Sequence, residues 1–212
     1  MKNVSTNEYK MSYFMPPIAP IKNEQGRTIV PATLIPFCEV SASQIYQMIT
    51  RDENLRILTG QVRDAADIKT AKASLLPYVT PCGIFTRRNS QCFVSPSGLA
   101  IIDIDHMDSY QEAVELRHAL FNDPFLRPVL TFISPSGRGV KAFVPYRATN
   151  RDDAVGCITE NMIWAMQYVE LTYGPENELS AHTPAKGVDI SGKDIVRACF
   201  LSHDPEALFR TL

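Results

Sequence analysis

The chain carries no Cys-x-x-Cys pair, no apolar run as long as a membrane span and no surplus of either charge. Each absence removes a class of protein. Five cysteines (Cys38, Cys82, Cys92, Cys157 and Cys199) at scattered spacings make no zinc ribbon, and their odd number fits a reducing compartment better than a disulfide scaffold. The start of the sequence lacks the basic-then-apolar order of a secretory signal. A soluble, cytoplasmic protein without a membrane partner is therefore expected. A net charge of −2 argues against coating nucleic acid by bulk electrostatics, so any phosphate contact has to come from a local basic patch. The single tryptophan, Trp164, sits in a long apolar helix pattern and is expected in the core.

What is present is ordinary for a globular chain of 212 residues: 45% hydrophobic, 21% charged, and long enough to bury a sizeable core. Pro16, Pro17, Pro20, Pro31 and Pro36 make residues 1 to about 38 read as irregular, with a turn at Asn23–Gly26 before a short extended piece, Thr28–Val30. Helical spacing follows Ser41 or Ser43 (Ile45, Met48, Ile49, with Leu55 continuing it), and again from near Asp64 to Leu76, where Pro77 stops it. Arg87 and Arg88 read as solvated surface that could also reach phosphate.

The sharpest signal is Leu99-Ala100-Ile101-Ile102-Asp103-Ile104-Asp105-His106. An Ile-rich run of this length predicts a buried strand, and alternation puts Asp103 and Asp105 on one face. Two adjacent carboxylates repel, and a hard divalent cation is a common partner for such oxygens. A helix is expected over about 109–121, a strand over 127–133, a tight turn at Ser134-Pro135-Ser136-Gly137-Arg138-Gly139, a strand over 140–146, a helix over 151–173, and a last strand over 195–201. Ser-Pro-Ser-Gly occurs at both 95 and 134, which reads as shared turn chemistry. From residue 99 the order is strand, helix, strand, strand, helix, strand, the ferredoxin-like or RNA-recognition-like order, with the first strand central. That topology would gather Asp103, Asp105 and Asp189 as metal ligands, with Lys141 as phosphate neutraliser and Phe143 as a surface for a base. The 136–139 turn would be an anion nest and Arg197 a bidentate clamp. The bland alternative makes Arg197 a structural ion pair with Asp189 or Asp105.

The 101–106, 134–141 and 189–205 stretches resemble the three motifs of the archaeo-eukaryotic primase (primase-polymerase) superfamily. They are closest to the domain named after the N-terminal part of virulence-associated protein E, found in Bacteroides-type genomes and mobile elements, often ahead of a helicase-like region. The resemblance spans about residues 70–210. It implies that Asp103, Asp105 and Asp189 bind catalytic Mg²⁺ or Mn²⁺, and that Ser136, Gly137, Gly139 and Lys141 meet the phosphates of a nucleoside triphosphate. Lys141 stands where active members usually carry His. The fold implied is an α+β, primase-polymerase-like unit: a smaller N-terminal α/β module (1–98) packed on an RRM-like βαββαβ module (99–212), with a cleft between them. The leading expectation is metal-dependent nucleotidyl transfer on single-stranded DNA template or primer in replication of a mobile element. The alternatives are a catalytically inactive nucleotide- or nucleic-acid-binding module linked to a helicase and, least of all, an Asp-x-Asp sugar-nucleotide transferase.

Overall fold

The computed structural model describes residues 9–146, 153–173, 187–188 and 193–211. The N-terminal stretch is less irregular than its prolines suggest. It begins with strand β1 (Lys10–Phe14), in which Met11, Ser12 and Phe14 are fully buried, ahead of the Pro16-Pro17 pair. A small hairpin follows, β2 (Ile21–Lys22) and β3 (Thr28–Val30), around the expected turn, with Gly26 at φ 77°. Strand β4 (Cys38–Ser41) runs into helix α1 (Ala42–Arg51). Ser41 caps that helix in a reciprocal box: its Oγ accepts from the Gln44 N–H at 3.3 Å, and its own N–H donates to Gln44 Oε1 at 2.8 Å. Leu55 does not extend α1. It belongs to a separate helix, α2 (Glu53–Asp64), which Asp52 caps by accepting from the Leu55 N–H at 2.9 Å. The third helix, α3 (Ile68–Leu75), starts later than its pattern suggested because Asp67 is its cap.

Strand β5 (Tyr78–Thr80) and the hairpin of β6 (Gly83–Phe85) and β7 (Phe93–Pro96) lead to β8 (Leu99–Asp105). Then come α4 (Tyr110–Phe121), β9 (Leu130–Ile133), β10 (Val140–Pro145), α5 (Ala154–Tyr173), β11 (Gly187–Val188), β12 (Cys199–Phe200) and β13 (Leu208–Phe209). Both Ser-Pro-Ser-Gly turns use their glycine at positive φ, 88° at Gly98 and 74° at Gly137, so the repeated tetrapeptide is shared turn chemistry.

Two antiparallel sheets dominate. One has the order β12-β5-β1-β4, the other β11-β8-β10-β9-β13. In the second, the strand–helix–strand–strand–helix–strand run places its first strand, β8, between its third and fourth, as the split β-α-β order requires. The fourth strand is a correction to the sequence reading. Gly187–Val188 holds that edge, paired with Asp105 and Ile104, whereas of 195–201 only Cys199–Phe200 is strand. That strand pairs with Val79 and Tyr78 in the other sheet. The edge of β8 is already filled, and Ile195, Cys199 and Leu201 bury themselves in a core shared with Met11, Ile45, Val79 and Ile101.

Alternation along β8 separates two packings. Ile102 and Ile104 pack with Ala113, Leu120, Ala165 and Val169 of α4 and α5, while Ile101 joins the shared core. Helix α5 buries one stripe (Cys157, Ile158, Met162, Ala165, Met166 and Val169). Trp164 falls outside it and is 50% exposed, stacked on Tyr168, and Leu171 is 88% exposed. Trp164 was expected in the core; a largely apolar helix against a sheet that covers one stripe leaves the surplus outside. No helix among the described residues is long and apolar enough to cross a membrane.

Candidate functional site

The register of β8 against β10 sets Lys141 directly opposite Asp103. Lys141 Nζ lies 2.6 Å from Asp103 Oδ2, and Arg197 Nη2 reaches the same oxygen at 3.3 Å. Arg197 is on no strand; its N–H closes a turn onto the Asp194 carbonyl at 2.9 Å. Asp103 is therefore one ion-pair partner of Arg197. Burial pushes the Asp103 carboxyl up, but Lys141 and Arg197 together outweigh it, so the carboxyl ionises below its usual range. Burial pushes Lys141 down, and the charge of Asp103 with its neighbours more than restores it, to above the usual lysine range. The pair's stabilisation is thus fully present between the ordinary Asp and Lys values. It is lost as pH falls through the lowered Asp103 value or rises through the raised Lys141 value. Asp103 Oδ1 is buried and has no hydrogen-bond partner among the described residues.

Two residues further on, Asp105 shares the face of Asp103 but not its partners. No described residue bonds or ion-pairs its carboxylate. Burial, then the neighbouring Asp103 charge, raise its pKa; Lys141, Lys72 and His106 offset part of this. Asp105 lines a cleft of about 590 Å³ whose opposite wall is α3, through Ile68, Lys69 and Lys72. His106, Met107 and Asp108 of the loop after β8, with Ser136 and Arg138 of the β9–β10 turn, complete it.

That turn is held close to Asp105 by Gly139. A Cβ there would collide with the Ile104 carbonyl and come within 2.9 Å of Ser134 Oγ and 3.0 Å of Asp105 Oδ1. Arg138 Nη2 donates to the Asp108 carbonyl at 2.8 Å, tying the turn to the loop after β8. Two of the N–H groups expected in an anion nest are spent inside the turn: Gly137 donates to the Ser134 carbonyl at 2.9 Å and Arg138 to Ser136 Oγ at 3.2 Å. The turn thus offers the cleft the side chains of Ser136 and Arg138.

Several expected members lie elsewhere. Phe143 shares the Lys141 face but is fully buried, edge-on to Phe132, and has no face for a base. Arg87 is exposed, while Arg88 folds back over the Tyr78 ring at 5.5 Å and donates to the Ile18 carbonyl at 3.3 Å; neither lines the cleft. Asp189 lies outside the described residues. His106 lines the cleft, whereas His203 lies elsewhere and donates its backbone N–H to Thr59 Oγ1 at 2.8 Å. Sequence reasoning missed Lys69 and Lys72. The available signal was two lysines three apart on a short helix, hence on neighbouring positions of one face.

Because Asp105 carries an upward shift, its charge destabilises the fold at neutral pH. The sign follows from linkage: a carboxyl with a raised folded value costs nothing below the unfolded value, a growing amount between the two values and its full amount above the folded value. Asp105→Asn is expected to raise the melting temperature at pH 7, by on the order of 2–4 °C per kcal/mol relieved. The gain should vanish in melts run near pH 3.

Residues 70–209, well over half of the chain, match the family model described as BT4734-like, N-terminal domain, a Bacteroides-associated family. The match takes in β8, the β9–β10 turn and Lys72. No curated protein and no solved structure matches the chain.

Proposed function

We propose that this chain, which belongs to the BT4734-like N-terminal domain family, binds a nucleoside triphosphate in the cleft and, with a divalent cation, transfers the nucleotide onto DNA in the manner of a primase-polymerase. One observation carries the reading. Asp105, whose carboxylate no described residue bonds, lines a cleft of about 590 Å³ that Lys69, Lys72 and Arg138 also line. Three cations around one acid suit a polyphosphate that arrives with a metal ion. Ser136 can donate its hydroxyl to a phosphate oxygen, and Ile68 and Met107 supply apolar wall for a base. The antiparallel split β-α-β sheet, with acids at the end of its first strand, supports a primase-polymerase-like fold. The all-antiparallel pairing of the described strands gives the sugar-nucleotide transferase reading no support.

The donor set fits Mg²⁺ or Mn²⁺ in kind. Among the described residues nothing bonds the Asp105 carboxylate, and Asp103 Oδ1 is a buried acceptor without a partner. Among those residues no group of three His, Cys, Asp or Glu forms a metal site, so Asp105 and Asp103 are the ligands on view. When bound, such an ion lowers the pKa of an attacking hydroxyl and neutralises the leaving phosphate. The chain's own work is positioning and charge: Lys72, Lys69 and Arg138 hold the phosphates and fix their approach to Asp105.

A second reading, a non-catalytic nucleotide-binding module serving a helicase, is favoured by the Lys141 ammonium 2.6 Å from Asp103, where a metal ligand would be free. Primer synthesis on single-stranded DNA with dNTPs and Mn²⁺ separates the two. Transfer predicts product from wild type and at least a hundredfold less from Asp105→Asn, about 3 kcal/mol of lost stabilisation. Bound dATP without product selects the module.

A further inference from the structure

We propose that the proline-rich arm at residues 16–37 is a docking surface for single-stranded DNA, rooted on the α3 wall of the cleft. The inference rests on the reading above for its choice of DNA, and on the arm's own residues for its position. The arm lies outside the family match and lines no part of the cleft. Strands β2 and β3 pair only with each other, and every residue of β3 is exposed. A ribbon this short is not stable alone in water, so its root must hold it. The Ile18 N–H donates to the Ala73 carbonyl of α3 at 2.9 Å, the Thr33 N–H to the Pro17 carbonyl at 2.8 Å and the Arg88 N–H to the Leu34 carbonyl at 2.8 Å. The Tyr78 hydroxyl donates to the Thr33 carbonyl at 2.6 Å. These bonds fix an arm that contributes no residue to either hydrophobic core.

Charge selects the partner. The chain has a net charge of −2, yet the arm and the two segments bonded to it, α3 and 86–92, carry Lys22, Arg27, Lys69, Lys72, Arg87 and Arg88. Against them stand Glu24 and the α3 cap, Asp67. This is the local basic patch that phosphate binding requires of a chain without a positive surplus. Lys69 and Lys72 belong to this tract and also line the cleft, so the two are continuous. Exposed apolar side chains stand in the same arm, Ile29 at 61% and Phe37 at 73%. Unpaired bases offer their faces to such side chains, whereas a duplex stacks them away. A protein could also cover the apolar residues, but the basic excess favours a phosphate backbone.

Fluorescence anisotropy of a labelled oligothymidine of about 20 nucleotides, in EDTA and without nucleotide, reads the arm apart from the cleft chemistry. Lys22→Gln/Arg27→Gln should bind it about tenfold weaker than wild type, with the slope of log affinity against log salt shallower by about 1.4, or about 0.7 per cation removed. Phe37→Ala should also bind about tenfold weaker, with the slope unchanged. Arg56→Gln/Arg127→Gln removes the same charge at exposed positions off the tract and should stay within about twofold of wild type. All these side chains lie outside the cores, and melting temperatures close to wild type confirm the folds. Equal affinity and slope in wild type and Lys22→Gln/Arg27→Gln overturn the inference. So does a wild type that binds dATP but no oligonucleotide, which makes the arm a surface for protein. Arm-dependent oligonucleotide binding by a protein that binds no dATP overturns the reading of the cleft and supports the arm's role.

Discussion

Arg117→Ala is expected to lower stability by about 3–5 kcal/mol, the usual cost of stranding one member of a buried ion pair. Arg117 is fully buried on α4, and its Nη1 donates to both oxygens of Asp204 at 2.9 Å. Asp204 is itself 1% exposed. Its Oδ2 also accepts from the Ile133 N–H at 2.8 Å, and the neighbouring Ser202 hydroxyl donates to the Ile133 carbonyl at 2.7 Å. The chain at 202–204 further ties to α1 and α2, through the Asp204 N–H to the Ile49 carbonyl at 3.0 Å and the His203 N–H to Thr59. The pair thus fastens the end of β9, one residue before the cleft-forming turn. Truncating the arginine leaves a buried carboxylate with backbone donors only. Thermal melts should fall by on the order of 10 °C. The double variant Arg117→Met/Asp204→Leu should recover part of the loss, because the burial cost of both charges disappears together.

Asp103→Ala is expected to cost a similar amount, about 3–5 kcal/mol, for the mirror-image reason. It strands two cations, Lys141 at 5% exposure and Arg197, against a sheet interior that includes Ile101 and Phe143. Adding Lys141→Met to Asp103→Ala should restore stability, and a double-mutant cycle of urea midpoints should show a coupling of about 1–3 kcal/mol. The two sites should still differ in their readout. Asp103→Ala should abolish Mn²⁺-dependent dATP binding along with the stability it removes. Arg117→Ala, at a temperature where it remains folded, should weaken that binding only through a looser turn.

How much of this was legible beforehand depends on whether the signal was local. The β8 strand announced itself through an Ile-rich run ending in two acids, and the register later showed why Asp103 tolerates burial. The Ser134–Gly139 turn was legible from Gly137 and Gly139, one needing positive φ and the other close approach. Helix α2 was not. Glu53–Asp64 presents charged residues on most of its surface and buries only Leu55, Thr59 and Val62. Strand β1 was hidden by the prolines that follow it. Arg117 could not be read as buried, because an arginine on an amphipathic helix is ordinarily solvated, and its partner lies 87 residues away. The placement of Cys199–Phe200 in the first sheet is likewise long-range pairing, which periodicity does not encode. Within the site, Asp105, Ser136 and Arg138 were found because they lie in motifs. Lys72 lies on a short helix outside any motif, and its place at the cleft depends on how α3 packs against the end of β8.

The central claim is that the α3–β8 cleft binds nucleotide phosphates through cations that include Lys72. Calorimetric titration of dATP with MnCl₂ into wild type and Lys72→Ala tests it most directly. The account predicts saturable binding to wild type, about tenfold weaker binding to Lys72→Ala, and little change in melting temperature for an exchange on the cleft surface. Equal affinity in the two proteins, or no heat of binding in wild type, would contradict it.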